Sequence, residues 1–394
     1  MIVDRATAAL LLALCRAELP ETERARIAGL LDQPVDWSQL ANLAGLHGVV
    51  ALVRHNLLVL HAHERVPFDP WEHIQQAAAQ ISFDAMLQLR TLGRIVAALQ
   101  AAGIVPIVLK GYALASLLYA DPMLRPAADI DLLVQRIEVE RAWAILEPLG
   151  LLPPSKEHAE YQLAKSYHLS LLGDSVPGKP VLLELHWALE SRGLFSLDLE
   201  RWRAHSVPFE VEGVPALRFS PEDTLLHLAL HMRKHRYVGL RWLCDVAELL
   251  RRFQATLNWP YVLETARQSG LKTLLHTTLV LAQETLEAPV PQEALERLRP
   301  SASRRYLLNA TLTEEALLTP VEAEEAGWTR LAAVEILLLD RPSTMWRELR
   351  YRLMPPAEKL IDPSAAGAPL GQRLAVNARR LARRTAALLG RPTS

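Results

Sequence analysis

The sequence is short of cysteine, of net charge and of long apolar runs. Its 394 residues include only two cysteines, Cys15 and Cys244, which excludes a disulfide framework and a four-cysteine zinc site. The 43 lysines and arginines balance 44 aspartates and glutamates, so we expect no chain-wide attraction to polyanions such as nucleic acid. Half of the residues are hydrophobic, which excludes disorder over most of the chain. We therefore expect two or three folded domains in a reducing cytoplasm.

A short apolar run at residues 6–15 follows Arg5, as in the first part of a signal peptide. Asp4 weakens the positive region, no small-residue cleavage site follows, and Leu14 stands where a lipoprotein signal needs a small residue. The run is also shorter than the roughly 18 apolar residues of a membrane span. We interpret it as a buried helix and expect no transmembrane segment.

The spacing of apolar residues divides the chain into four regions. Residues 1–80 have helical periodicity, residues 81–215 alternate helices with short strands, and residues 216–340 are helical again. Residues 341–394 combine a proline-containing connector with a basic amphipathic helix at about 372–389. The pattern predicts an α+β fold, in which a core with a small mixed sheet is flanked by N- and C-terminal helical regions.

Local signals give the elements of the mixed region and the helix that follows it. Ser82 to Ala102 is an amphipathic helix that Gly103 ends, and Ser220-Pro221 combines a capping serine with a proline at the first helical position. Asp36 and Asn258 are likewise suited to cap helices. Apolar runs between turn-rich residues predict strands at residues 104–109, 129–134, 167–172 and 180–187.

Two aspartates, Asp129 and Asp131, alternate with apolar residues in the second predicted strand. Because side chains alternate between the two faces of a strand, both carboxylates project from the same face. Carboxylates this close favour a cation between them, and their hard oxygens suit Mg²⁺ or Mn²⁺ completed by substrate phosphates. The alternative is a strand-end pair that faces water or pairs with Arg125 or Arg136.

Lys110 and Gly111 close the strand before this aspartate pair and open a helix. Glycine allows the backbone to approach a phosphate, the helix N-terminus offers free N–H groups, and lysine adds positive charge. The alternative is an ordinary turn. The pattern gains weight because the aspartate pair follows after one short helix.

A third acid, Glu184, lies on the last predicted strand, with His186 on the same face two residues later. If this strand adjoins the aspartate strand, Glu184 completes a cluster of three carboxylates that holds a second metal and helps to deprotonate an attacking hydroxyl. The alternative is an edge strand that carries a solvated glutamate.

These residues resemble the nucleotidyltransferase superfamily that includes DNA polymerase β and the minimal (MNT-type) nucleotidyltransferases. The sequence is more closely similar to the bacterial "uncharacterised nucleotidyltransferase" family, whose members show an L-K-G turn, an arginine before D-I-D-L-L-V, and an E-L-H-W strand. The matching positions are Leu109-Lys110-Gly111, Arg125, Asp129 to Val134, and Glu184 to Trp187.

The resemblance implies metal-dependent transfer of a nucleoside monophosphate from an NTP, expected to be ATP, to a hydroxyl acceptor, with release of pyrophosphate. It assigns the metals to Asp129, Asp131 and Glu184. It places the nucleotide at Lys110, Gly111 and Arg125, with the β- and γ-phosphates at the first two. The acceptor stays open between a protein, a peptide and a small molecule, and the alternative function is a catalytically silent helical adaptor that keeps the fold to bind a partner.

The histidines at 227, 231 and 235 share one face of the helix that starts at Ser220. Three imidazoles spread over about 12 Å of helix do not reach one metal ion, which counts against a metal phosphohydrolase. We expect His231, Arg233, Arg241 or Asp245 to line the acceptor side of the cleft, with a polar interhelical network as the alternative.

Two further features have weaker interpretations. The nine tryptophans lack the interleaved basic residues of a nucleic-acid platform, so we expect them to be packing residues. Beyond Asp362 the chain has arginines and no acid, which predicts either a basic helix that binds an anionic partner or membrane surface, or a helix packed on an acidic part of the protein. These arginines are Arg373, Arg379, Arg380, Arg383, Arg384 and Arg391.

Overall fold

The computed structural model describes residues 3–319 and 333–353. The first helices are α1 (Arg5–Ala13), α2 (Glu21–Leu31), α3 (Trp37–Leu46), α4 (Val50–Val59) and α5 (Phe68–Ala101). The middle elements are β1 (Ile107–Leu109), α6 (Gly111–Leu118), β2 (Ile130–Leu133), α7 (Val139–Leu146), α8 (Lys156–Lys165), β3 (His168–Val176), β4 (Lys179–His186), α9 (Leu199–Ala204), β5 (Val207–Val211) and β6 (Val214–Arg218). The last helices are α10 (Pro221–Lys234), α11 (Leu240–Arg252), α12 (Trp259–Ser269), α13 (Lys272–Leu286), α14 (Gln292–Leu298), α15 (Ala302–Asn309), α16 (Glu314–Leu318) and α17 (Pro342–Leu353). Short 3-10 turns lie at Ala62–Arg65, Pro122–Leu124, Arg136–Glu138 and Glu147–Leu149.

The α+β fold with flanking helical regions is confirmed. Residues 6–15 form most of α1, whose leucines are buried, as expected for a core helix. Among residues 3–319 and 333–353, no helix is both long and apolar enough to cross a bilayer. The predicted basic helix at 372–389 and the anionic partner expected for it lie outside the described residues.

The predicted helix caps are present and explain where these helices begin. The side chains of Asp36, Asn258 and Ser220 each accept a backbone N–H from the residue three positions later. In α10 the first helical residue is Pro221, whose missing N–H would have had no partner inside the helix.

Helix α5 starts at Phe68 rather than at the predicted Ser82 and runs without interruption to Ala101. Pro70 stands in the first turn of this helix, where proline is tolerated. The predicted domain boundary after residue 80 therefore falls inside a continuous helix, and the one after residue 215 falls inside β6. The division into domains stays a prediction.

One six-stranded mixed sheet has the order β3-β4-β2-β1-β6-β5. β2 runs antiparallel to β1 and parallel to β4, and β6 runs parallel to β1. The prediction missed the β5–β6 hairpin because Pro208 and Pro215 argued against strands. β5 is an edge strand, and Pro215 lies near the start of β6, away from the pair Ile107–Leu217 that joins β6 to β1.

The two faces of the sheet belong to different cores. Residues such as Val108, Leu132 and Leu185 pack in a core with α5 and α7. Leu109 and Leu133 belong to the core of the surrounding helical regions. Leu109 is paired with Asp131, so both project from the same face of the sheet. The carboxylate-bearing face is therefore the one toward the core of the helical regions, and α10 lies across it.

Candidate active site

The sheet register brings the predicted acids together. Asp131 on β2 is paired directly with Glu184 on β4, and partners in register project from the same face. Asp129 immediately precedes β2, two residues from Asp131. One carboxylate oxygen of each of these three residues lies within 4.8 Å of the other two. The sheet therefore places three carboxylates at a single position, as the sequence predicted.

Asp131 makes the shortest contacts to basic side chains of the three carboxylates. Lys110 Nζ lies 2.9 Å from its Oδ2, and His186 Nε2 lies 2.9 Å from its Oδ1. All three side chains are buried. Burial alone would raise the pKa of Asp131, but the Lys110 ammonium and the His186 imidazole hold it well below its usual value. Asp131 is therefore ionised, with one cationic neighbour on each oxygen.

The other two acids differ in their electrostatics. His186 Nε2 lies 3.2 Å and Lys234 Nζ 3.8 Å from Glu184 Oε2. Against the effect of burial, these two neighbours lower the pKa of Glu184 to about 2. Burial and the charge of Asp131 raise the pKa of Asp129. Ionising all three acids is therefore costly without additional positive charge.

The Lys110-Gly111 turn lies beside the acids and has an unusual backbone. Lys110 has φ 37° and ψ −146°, which a residue with a side chain rarely adopts, and Gly111 has φ 45°. A Cβ atom on Gly111 would lie 3.3 Å from Ala127 Cβ. The Lys110 side chain points to Asp131 and does not cap α6, so the turn presents the helix N-terminus to an anion.

The comparison with protein families identifies a family for this chain. The family described as "uncharacterised nucleotidyltransferase" matches residues 33–287, more than half of the chain. The chain belongs to this family. The resemblance inferred from the sequence motifs is thereby confirmed, and the protein is a nucleotidyltransferase.

Other comparisons add little to the family match. No curated protein matches the nucleotidyltransferase by sequence. Among solved structures, an antigenic nucleotidyltransferase-like protein from Paracoccidioides brasiliensis is similar to it at 18% identity, with a TM-score of 0.32. That match covers 52% of this chain and 95% of the other.

Arg125 of the nucleotidyltransferase is paired with a buried acid, although it lines the same cavity as Gly111, Asp129 and Asp131. Its Nη2 donates to Asp245 Oδ2 at 2.7 Å and its Nε at 3.1 Å, while the Tyr119 hydroxyl donates to Asp245 Oδ1 at 3.1 Å. All three side chains are buried. Arg125 thus fastens the segment before β2 to α11, and its predicted binding of the nucleotide stays a prediction. Asp245, predicted on the acceptor side, is the other half of this pair.

The histidines of α10 do not form a metal site among the described residues. The ring centroids of His227 and His231 are 6.4 Å apart, and His231 packs edge-on against Trp242 at 4.2 Å. His231 lines a cavity together with Lys110 and His186. Its expected place beside the cleft agrees with this position, whereas Arg233 lies against Phe195 instead.

Sequence reasoning missed two side chains next to the acids, His168 and Lys234. His168 is the cross-strand partner of His186, and pairing between strands is not readable from one strand alone. Lys234 had a readable signal, because it follows His227 and His231 at the seven- and three-residue spacings that place side chains on one helix face.

The acid cluster fits a hard divalent cation by the chemistry of its donors. Asp129, Asp131 and Glu184 offer carboxylate oxygens within reach of one ion, which is the donor type that Mg²⁺ and Mn²⁺ prefer. Both oxygens of Asp131 already face a basic side chain. A cation that binds Asp131 therefore takes over a position that the Lys110 ammonium or the His186 imidazole holds here.

Proposed function

We propose that this nucleotidyltransferase requires Mg²⁺ or Mn²⁺ and transfers a nucleoside monophosphate from an NTP, expected to be ATP, to a hydroxyl group. The acceptor oxygen forms a bond to the α-phosphorus, the bond to the bridging oxygen of the β-phosphate breaks, and pyrophosphate leaves. One observation carries the proposal: three carboxylates from β4 and the start of β2 lie within 4.8 Å of one another beside the Lys110-Gly111 turn.

In this proposal the acidic residues bind the cation, and the Lys110-Gly111 turn binds the phosphates. Asp129 and Asp131 hold the cation, and Glu184 completes the set. A bound divalent cation supplies positive charge that offsets the charge developing on the phosphates. The N-terminus of α6 receives phosphate oxygens through the backbone at Gly111, and the Lys110 ammonium, once released from Asp131, adds charge there.

Glu184 acts as a ligand rather than as the base that accepts the hydroxyl proton. Its pKa of about 2 makes it a weak proton acceptor at neutral pH. Asp129, whose pKa burial raises, is the better acceptor of the two. This modifies the role in deprotonation that the sequence suggested for Glu184.

The acceptor belongs to one of three classes, a protein, a peptide or a small molecule with a hydroxyl group. A catalytically silent adaptor is the competing function. Labelled NTPs incubated with the protein and Mg²⁺ separate the two, because transfer produces pyrophosphate together with a labelled product, and an adaptor produces neither.

Asp131→Asn tests the proposal most directly. The amide keeps the size of the side chain but removes the charge that a cation needs, so Mg²⁺-dependent binding of ATP is lost while the circular dichroism spectrum stays native. Asp174→Asn is the matched control, because Asp174 is an exposed strand aspartate far along β3 from His168. Unchanged ATP affinity in Asp131→Asn would refute the assignment.

A further inference from the structure

A second cluster of donor atoms lies beside the three acids. His168, Glu184 and His186 each have a ligand atom within 4.8 Å of those of the other two. His168 and His186 are direct partners in the β3–β4 pairing, so both imidazoles project from the carboxylate-bearing face of the sheet. Their ring centroids are 5.1 Å apart. The cluster combines two nitrogens with one carboxylate, unlike the all-oxygen set of Asp129, Asp131 and Glu184.

The spacing of these donors matches the geometry around one metal ion. With metal–ligand bonds of about 2.1 Å, neighbouring donors lie about 3.0 Å apart in an octahedron and about 3.4 Å apart in a tetrahedron. His186 Nε2 lies 3.2 Å from Glu184 Oε2 and 2.9 Å from Asp131 Oδ1. His168 Nε2 lies 3.7 Å from Glu184 Oε1. The donors need only small shifts to surround one ion.

Hydrogen bonding alone does not satisfy the two imidazoles. Within the part of the chain that the structure describes, Nδ1 of His168 and Nδ1 of His186 are buried and lack a hydrogen-bond partner. His186 is only 3% exposed, and its other nitrogen points into the cluster. An ion bound at Nε2 would fix the remaining proton of each ring on Nδ1, which lies on the opposite side of the ring from the ion.

Asp131 connects this cluster to the first one. Its Oδ1 faces His186, whereas its Oδ2 faces Lys110. Glu184 belongs to both donor groups. Two carboxylates therefore have oxygens available to two neighbouring cation positions, as in enzymes whose paired metal ions lie about 3.5–4 Å apart.

We propose that His168, Glu184 and His186, with Asp131 Oδ1 as a fourth donor, form a separate site for a first-row transition metal ion. Imidazole nitrogen suits Fe²⁺ and Zn²⁺ and is also accepted by Mn²⁺, whereas Mg²⁺ prefers oxygen and keeps its waters. The protein would then bind two kinds of cation, one at the aspartates and one at the histidines. The inference rests on the proposed function, because Glu184 and Asp131 are shared between the two sites.

Mn²⁺ is the probe for the test, with the full-length protein. Mn²⁺ bound to the histidines gives an electron spin-echo modulation from directly coordinated ¹⁴N, which a site built only from carboxylates does not give. His168→Gln removes one of the two nitrogen ligands, so it weakens this signal and raises the Kd for Mn²⁺ by at least about ten-fold, measured from the free-ion EPR spectrum. Mg²⁺ binding at the aspartates changes much less. His158→Gln, which alters an exposed histidine on α8, is the matched control and retains the signal.

Two results overturn the inference: the absence of a ¹⁴N signal from Mn²⁺ in the wild-type protein, and a signal of undiminished amplitude in both His168→Gln and His186→Gln. His168 is only partly buried, so its variant is informative even if His186→Gln fails to fold. The outcome is distinguishable from failure of the proposed function. Loss of ATP binding in Asp131→Asn without a nitrogen signal leaves the transferase and removes the histidine site. A nitrogen signal with normal ATP binding in Asp131→Asn does the reverse.

Discussion

Asp131 on β2 and Asp245 on α11 are both buried aspartates with basic partners. Asp245 is 0% exposed and accepts three hydrogen bonds from Arg125, two of them from Nε, and one from Tyr119. Asp131 pairs with a lysine and a histidine, and two further carboxylates lie within 4.8 Å.

The difference separates a structural ion pair from a binding site. A guanidinium in bidentate contact, completed by a phenol, saturates the Asp245 carboxylate and leaves nothing for a ligand to replace. A lysine ammonium makes a single contact on a flexible stem, and the like charges around Asp131 favour any cation of higher charge. The Arg125–Asp245 pair thus holds the segment before β2, whereas we expect a divalent cation to displace the Lys110 ammonium from Asp131.

The largest expected effect is on stability, from Asp245→Ala. This substitution leaves the Arg125 guanidinium buried without a counter-charge, which lowers the free energy of unfolding by about 3–5 kcal/mol. Urea denaturation measures the loss. The double variant Arg125→Met/Asp245→Leu should regain most of it, because apolar side chains replace the whole pair. A loss below about 1 kcal/mol in Asp245→Ala would contradict the structural role.

The same double variant also tests the prediction that Arg125 binds the nucleotide. If Arg125 only fastens the segment before β2, the folded double variant binds ATP as the wild type does in an equilibrium titration. A large loss of ATP affinity in a stable double variant would instead support the nucleotide-binding role that the sequence suggested.

Lys110→Met has a smaller effect that divalent cations reverse. Asp131 loses one of its two basic partners, so unfolding free energy falls by about 1–3 kcal/mol in the presence of EDTA. Mg²⁺ should raise the melting temperature of this variant more than that of the wild type, because the cation takes the place of the ammonium. Lys179→Met, which breaks a partly exposed ion pair with Asp84, is the control and shows no such dependence. If Mg²⁺ does not change the melting temperature of Lys110→Met, a cation does not replace Lys110 at Asp131.

Gly111→Ala perturbs the turn next to this pair. The left-handed backbone costs an alanine about 1–2 kcal/mol, and the new Cβ meets Ala127 at 3.3 Å. Gly178→Ala isolates the backbone cost, since Gly178 has φ 80° and nothing lies within 4 Å of an added Cβ. Thermal unfolding of both variants compares the two costs. Equal losses of stability in the two variants would show that Ala127 moves aside at no measurable cost in free energy.

Most of the architecture was readable from local patterns, because strands and helix caps have local signals. The four predicted strands correspond to β1 to β4, and the caps at Asp36, Ser220 and Asn258 are present. The early start of α5 and the β5–β6 hairpin were not readable. Both elements contain prolines, whose effect on structure depends on whether they stand in the first turn of a helix or on an edge strand.

The acids of the candidate site could be predicted from the sequence, but their basic partners could not. Alternation along β2 sets Asp129 and Asp131 on one face, but the parallel pairing that brings Glu184 to Asp131 depends on tertiary contacts. The capture of Arg125 by Asp245 and the position of His168 opposite His186 also join distant parts of the chain. Such contacts leave no periodic signal, so the sequence could propose the acids but not their partners.

The smallest expected effect is a pH dependence of the free energy of unfolding, which we expect for the contacts of Asp131 and not for those of Asp245. Burial lowers the pKa of His186, but hydrogen bonds to Asp131 and Glu184 outweigh it and raise the pKa above 6.5. The resulting stabilisation is complete below about pH 6.5 and is lost as the pH rises through the folded-state pKa. His168 does not add to this change, because burial lowers its pKa to about 4. Urea denaturation between pH 6 and 9 should therefore show the wild type losing stability relative to His186→Gln. The Arg125–Asp245 pair contains no histidine, so parallel curves would place His186 outside the charge balance of Asp131.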